Sequence, residues 1–228
     1  MPAEMVHLVR HGEVTNPDRI LYGRLDGFGL TARGHQMAET VAGYFADRSI
    51  SAVLASPLLR AQQTATPIAA AHGLDIITDD RLIEGTNIFE GTRVSAKAIM
   101  RNPSVWPKLW NPFRPSWGES YKSIVHRMMA AVGDAVDNHG GEVVVVSHQL
   151  PIWMVHRHVN GESLVHSPKA RRCTLCSVTS FQPEQEPTPG PGQGSTKTSG
   201  VDSRHWREVA YIEPAASLLA DAVDLGAV

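Results

Sequence analysis

Apolar residues follow two rhythms along this chain. Short, nearly continuous runs at Met5–Val9, Ile50–Ala55 and Glu142–Ser147, the last with four consecutive valines, read as buried strands. Between them the spacing becomes helical. Met37, Val41, Tyr44 and Phe45 follow a capping Thr31, and Tyr121, Val125, Met128, Val132 and Val136 follow a capping Ser120, with Gly140-Gly141 as the stop. Ser56-Pro57, a capping residue before a proline at the first helical position, predicts a helix running towards His72-Gly73, kinked at Pro67. Weaker patterns place strands over Asp75–Thr78, Thr174–Phe181 and Trp206–Ile212, and a helix over Leu150–Val159.

Strands alternating with helices of this length predict a three-layer α/β/α fold: a mostly parallel central sheet with helices on both faces. The 228 residues fit one domain, 1–228, interrupted twice. From about 85 to 118 the periodicity breaks down among four prolines and three tryptophans, with a short helix expected near Ser95–Met100. We read this as a lid-like insertion, in which Trp106, Trp110, Phe113 and Trp117 either wall the site or pack the insertion onto the body. Residues of about 182–204 are rich in Pro, Gly, Ser, Thr and Gln and read as a flexible insertion.

Composition narrows the function classes. With 21 Lys+Arg against 23 Asp+Glu the net charge is -2, so no nucleic-acid partner is expected. No apolar run approaches the roughly 18 residues of a membrane span, and the first residues lack a basic segment before an apolar one, so no secretory signal is expected. With only two cysteines, Cys173 and Cys176, a cytoplasmic, reducing location is expected, with no membrane partner. A homodimer is compatible with all of this.

In open α/β sheets, ligands bind beyond the carboxyl ends of the strands. Here those ends carry Arg10-His11-Gly12-Glu13, Ser56-Pro57-Leu58-Leu59-Arg60 and Ser147-His148. Taken singly, each has an ordinary reading: a hydrogen-bonded histidine, or an ion-paired surface arginine. Arg60 stands in a first helical turn, the wrong end of the dipole for a cation, unless an anion binds there. Two histidines and two arginines converging on one sheet edge point to an anionic ligand.

The segment Leu8-Val-Arg-His-Gly-Glu13 resembles the signature of the histidine phosphatase superfamily, the phosphoglycerate mutase-like enzymes. Ala55-Ser-Pro-Leu-Leu-Arg-Ala-Gln-Gln-Thr-Ala65, Leu82-Ile-Glu-Gly85 with Phe89-Glu-Gly91, Trp117-Gly-Glu-Ser120 and Val145-Val-Ser-His148 resemble its later motifs, in family order. The resemblance implies a phosphoglycerate mutase-like fold and a catalytic set of His11, Glu84, His148, Arg10 and Arg60. His11 would be the nucleophile that takes the phosphoryl group. Arg10, Arg60 and His148 would hold the phosphate oxygens, and Glu84 would protonate the leaving oxygen. Glu13 and Glu90 match non-catalytic motif positions. The chemistry agrees: arginines give forked hydrogen bonds to phosphate, and a covalent intermediate divides a very slow hydrolysis into two steps. With His148 protonated by the phosphate's field, three protein cations could replace metal ions, so no metal and no cofactor is expected, and the expected partner is a small phosphorylated substrate.

The chain also departs from the family. The asparagine of many relatives' phosphate pocket is shifted to Asn16, with Pro17 in its place, and Gln149 replaces the usual glycine after the last histidine. Asn16 and Gln149 therefore join Arg10, Arg60 and His148 as substrate-binding candidates. Glu84 is followed by Gly85-Thr86-Asn87, and Arg114 lacks the paired arginine of true mutases. We therefore expect a phosphomonoesterase, with a phosphoglycerate mutase as the alternative and a non-catalytic phospho-ligand module as the third reading. Cys173-Thr-Leu-Cys176 has metal-like spacing, but three residues apart on a strand they would face opposite sides. His156 and His158 diverge on a helix and read as surface residues.

Overall fold

The computed structural model describes residues 2–93, 118–184, 204–220, 222 and 224. Six strands form one sheet: β1 (Met5–Arg10), β2 (Ile50–Ala55), β3 (Ile76–Thr78), β4 (Glu142–Ser147), β5 (Val178–Pro183) and β6 (Trp206–Ile212). Their order is β3-β2-β4-β1-β5-β6. The first four run parallel, β5 is antiparallel to β1, and β6 is antiparallel to β5. Among the described residues four long helices complete the body: α1 (Ala32–Phe45), α2 (Leu59–His72), α3 (Tyr121–Asn138) and α4 (Gln149–Val159).

The alternation of strand side chains divides the core in two. Val6, Leu8, Val143 and Val145 face one side and pack with α3 and α4. Val9, Val144 and Val146 face the other and pack with α1 and α2. Both faces are therefore covered, as the unbroken valine run predicts. Each of the four valines, fully buried, contributes about 1.5 kcal/mol or more.

The helix starts follow local chemistry with one exception. Thr31 caps α1 by accepting from Gly34 N, and Ser120 caps α3 by accepting from Ser123 N. Gly73, at φ 63°, closes α2 in the left-handed conformation that glycine adopts freely. The exception is Ser56. Helix α2 begins at Leu59, its N-cap Leu58 has no side-chain cap, and the Ser56 hydroxyl instead contacts His148.

Two other expectations change. The strand expected over Thr174–Phe181 starts only at Val178, because Thr174–Ser177 forms a turn with Cys176 at φ 56°. The argument that the cysteines diverge on a strand therefore fails, although both are buried and free. His156 is not a surface residue: it stacks on Trp153 at 4.4 Å and pairs with Glu208. The helix expected near Ser95–Met100, Arg114, the four insertion aromatics and most of the 182–204 insertion lie outside the described residues. Among the described residues, no helix is long and apolar enough to cross a membrane.

The loop after β1 lies against the start of α1 with no room between them. A Cβ on Gly34 would stand 2.1 Å from the Glu13 carbonyl oxygen, and one on Gly12 would stand 2.7 Å from the Gly34 carbonyl oxygen. Backbone cannot give way as a side-chain tip can. Gly34→Ala is expected to cost about 3 kcal/mol, lowering Tm by about 6–12 °C in a thermal melt.

Candidate active site

Strands β1 and β4 are neighbours, yet the helices that follow them lie on opposite faces: α1 in one core, α4 in the other. Where connections diverge in this way, a crevice opens at the carboxyl ends of the strands. The register pairs Arg10 with Ser147, so His11 and His148 leave the sheet side by side. Their ring centroids are 5.2 Å apart. Arg60 arrives from the first turn of α2, next to β4 across β2. Glu84 follows the short 3-10 turn Asp80–Leu82, which is tied to β4 by the Ser147 hydroxyl donating to the Leu82 carbonyl at 2.7 Å. Arg10, His11, Arg60, Glu84 and His148 are all buried, none more than 3% exposed.

The backbone sets the state of His11. Its Nδ1 lies 2.8 Å from the Gly12 carbonyl oxygen. A carbonyl only accepts, so Nδ1 carries the proton and Nε2 presents a lone pair. Burial, then the charges of Arg60 and Arg10, hold this imidazole well below its ordinary pKa, so it is neutral at pH 7. Gly12 N donates to the Thr64 hydroxyl at 3.1 Å, and that hydroxyl donates to the Arg60 carbonyl at 2.7 Å. The nucleophile candidate and the arginine are thus braced by one side chain.

Arg10, Arg60 and His148 each have protein partners that hold them in place. Arg10 donates from Nη1 to the Cys173 carbonyl at 2.6 Å, and Nη1 and Nη2 grip the Asp224 carboxylate at 2.8 and 2.5 Å. Burial opposes its charge, but Asp224 holds Arg10 above its ordinary pKa. Arg60 donates from Nη2 to the Gly23 carbonyl at 2.6 Å and lies over the Tyr22 ring at 4.7 Å. His148 Nε2 shares a hydrogen bond of 2.8 Å with the Ser56 hydroxyl. Burial, followed by Arg60 and His11, keeps His148 well below its ordinary pKa. After these contacts Arg10 Nε, Arg60 Nε and His148 Nδ1 remain buried with no hydrogen-bond partner among the described residues. Unmet buried donors cost about 1–3 kcal/mol each, so the two guanidinium Nε–H groups are suited to an anionic acceptor.

Glu84 has a separate character. Its Oε1 accepts from Gly85 N at 2.9 Å, and its backbone carbonyl accepts from Arg24 Nε at 2.6 Å. Burial raises its pKa and outweighs the Gly85 N–H and the attraction of Arg60, Arg171 and Arg10. The result is a carboxyl that keeps its proton to higher pH than a surface glutamate.

The two remaining sequence candidates behave differently. Asn16 uses its amide in both directions on Ile20, at 2.8 and 3.1 Å, closing a local turn, and among the described residues no side-chain hydrogen bond joins it to the cluster. Gln149 opens α4 and spans two site elements, donating to the Cys173 carbonyl at 3.3 Å and accepting from Arg171 at 3.4 Å. Glu13 accepts from the Thr31 hydroxyl at 2.6 Å, and Glu90 accepts from Asn87 N at 3.1 Å; both support loops. Sequence reasoning missed Tyr22, Arg171 and Asp224. Tyr22 is buried, meets His11 edge-on at 6.4 Å, and has its phenol pushed up to about 12 by burial. It is a neutral ring beneath Arg60. A cleft lined by Ala3, Glu4, Val136 and Arg204 opens at the amino ends of the parallel strands, away from this cluster.

Comparison with known proteins agrees with the motifs. Residues 6–188 match the family model for the histidine phosphatase superfamily (branch 1). The chain therefore belongs to that superfamily and is an enzyme of its phosphatase and mutase-like type. Among curated relatives, the uncharacterized protein Rv0525 of Mycobacterium tuberculosis is 56% identical over 184 residues, 79% of this chain and 91% of the relative. A protein named probable phosphoglycerate mutase GpmB, from Enterobacter sp., is 31% identical over 189 residues, 80% of this chain and 86% of its own. Among solved structures, the mycobacterial glucosyl-3-phosphoglycerate phosphatase Rv2419c superposes with a TM-score of 0.70 at 22% identity, covering 90% of this chain and 96% of that one. At that identity it supports the fold alone.

Proposed function

We propose that this enzyme is a metal-independent phosphomonoesterase that acts on a small phosphorylated metabolite through a phosphohistidine at His11. One observation supports this reading above the others. The unpartnered buried polar atoms of the crevice belong to Arg10, Arg60 and His148, the residues whose motif positions imply phosphate binding. A tetrahedral phosphate accepts from several directions at once, and a guanidinium whose Nη1–Nη2 edge is already occupied still offers its Nε–Nη2 edge as a fork.

In the first half-reaction the Nε2 lone pair of His11 attacks phosphorus in line. The bond to the ester oxygen breaks, and Glu84 gives that oxygen its proton. Arg10, Arg60 and His148 stabilise the charge on the three peripheral oxygens. In the second half-reaction the Glu84 carboxylate takes a proton from water, the water oxygen attacks phosphorus, and the phosphorus–Nε2 bond breaks. Inorganic phosphate leaves, and His11 and Glu84 regain their starting states.

The test uses the purified chain with p-nitrophenyl phosphate in the presence of excess EDTA. The expected result is sustained release of phosphate, unchanged by the chelator. Activity that disappears with EDTA and returns with a divalent cation overturns the metal-independent mechanism. The likeness to GpmB favours a second reading, phosphoryl transfer between phosphoglycerates; interconversion of the isomers without free phosphate would select it.

A further inference from the structure

Arg171 stands beside the crevice with no carboxylate within ion-pair distance among the described residues, and Glu84 is the carboxyl whose charge acts on it. Most described arginines that are not exposed have a carboxylate within ion-pair distance: Asp224 for Arg10, Glu119 for Arg24 and Arg127, Glu142 for Arg48, Glu162 for Arg157. Arg60 and Arg171 do not. Arg60 is assigned above to the scissile phosphate. Arg171 is half-buried, its Nε pointing to His166 Nε2 at 2.9 Å and its Nη1 to Gln149 Oε1 at 3.4 Å. Both partners are neutral acceptors that aim the guanidinium without neutralising it.

The connections run directly into the site. Gln149 follows His148 in the chain, and its amide donates to the Cys173 carbonyl, which also accepts from Arg10. Arg171 therefore lies one side chain away from the phosphate-binding group. It is also among the charges that act on Glu84, ranking after Arg60 and ahead of Arg10. Glu84 protonates the leaving oxygen, so its surroundings are the leaving-group side of the site. While Glu84 holds its proton it is neutral, and Arg171 then has no counter-charge there. A half-buried cation in that position gains most from an anion brought by the substrate.

We propose that Arg171, held by Gln149 and His166, is a specificity residue that binds a second anionic group of the substrate, a carboxylate or a second phosphate on the leaving-group side. The inference rests on the phosphomonoesterase reading and narrows it to doubly anionic esters. Neutral sugar or aryl phosphates would then be slower substrates.

The experiment compares kcat/KM for three esters: glycerol 3-phosphate, 3-phosphoglycerate, which replaces a hydroxymethyl by a carboxylate, and propane-1,3-diol bisphosphate. The wild type is expected to favour at least one doubly charged ester over glycerol 3-phosphate by tenfold or more, and which one it favours identifies the anion. In Arg171→Gln that ratio falls at least tenfold, and in Arg171→Lys it is largely kept. A wild-type ratio near one for both doubly charged esters overturns the proposal without any variant, as does an unchanged ratio in a folded Arg171→Gln. A wild type that hydrolyses none of the three esters, nor p-nitrophenyl phosphate, overturns the phosphomonoesterase reading itself and this inference with it.

Discussion

Replacing His11 by asparagine stops turnover while the protein keeps its fold and its grip on phosphate. The asparagine amide can still donate to the Gly12 carbonyl, the contact that orients His11, so the β1 loop has no reason to rearrange. What disappears is the Nε2 lone pair, and with it the covalent intermediate. Loss of a nucleophile is among the largest single-residue effects, and we expect kcat to fall by about 10⁴-fold or more. Orthovanadate or phosphate should still protect the variant against thermal unfolding, since Arg10, Arg60 and His148 are untouched. Rapid acid-sensitive labelling from a ³²P-labelled ester should be present in the wild type and absent in the variant. Residual turnover within tenfold of wild type would remove His11 from the nucleophilic role. The same neutral imidazole predicts a pH dependence. Because burial and two arginines depress the His11 pKa, the acid limb of kcat/KM should lie below the ordinary histidine value of about 6.5.

Much of the fold and the heart of this cluster could be read from the sequence, for identifiable reasons. Strands β1, β2, β4 and β6 were bounded well because short apolar runs end abruptly in polar or glycine-containing segments. The register of β1 on β4 then puts His11 beside His148, and α2 delivers Arg60 from its first turn. What could not be read depends on tertiary placement. Ser56 has the composition of a helix cap, but His148 Nε2, ninety-two positions away, takes its hydroxyl. The turn before β5 centres on Cys176 at φ 56°, a residue with no turn preference, so the strand looked longer than it is. Period-two alternation carries no direction, and the antiparallel setting of β5 could not be seen in it. His156 lies on the half-buried side of α4 because β6 supplies Glu208. Tyr22, Arg171 and Asp224 sit in irregular segments, where the path of the chain decides which side chains meet. A lone arginine or aspartate in such a stretch gives no periodic signal at all. Arg10 gripping Asp224 is the extreme case, 214 positions apart in sequence.

Glu84→Gln should separate the two half-reactions. Glutamine fills nearly the same volume and its amide oxygen can accept from Gly85 N as the carboxylate does, so the loop after β3 should hold. It can neither give a proton to a leaving alkoxide nor take one from water. With an alkyl phosphate, whose leaving oxygen is strongly basic, the first step itself is expected to slow by about 10²–10⁴-fold. With p-nitrophenyl phosphate the leaving group departs without help, so His11 is still phosphorylated, and the enzyme stalls at the second step for want of a base. Stopped-flow measurement should show a burst of about one nitrophenolate per active site followed by slow turnover, with phosphohistidine accumulating. The pH profile follows from the same carboxyl. Its folded pKa is raised by burial, so the acid form needed in the first step persists to higher pH than in a surface glutamate, and activity on alkyl phosphates falls as pH rises through that value. With p-nitrophenyl phosphate, whose leaving group needs no proton, the wild type should lack this alkaline limb. A burst that is absent, with both ester classes slowed equally, would mean that Glu84 only shapes the crevice and that the proton comes from elsewhere.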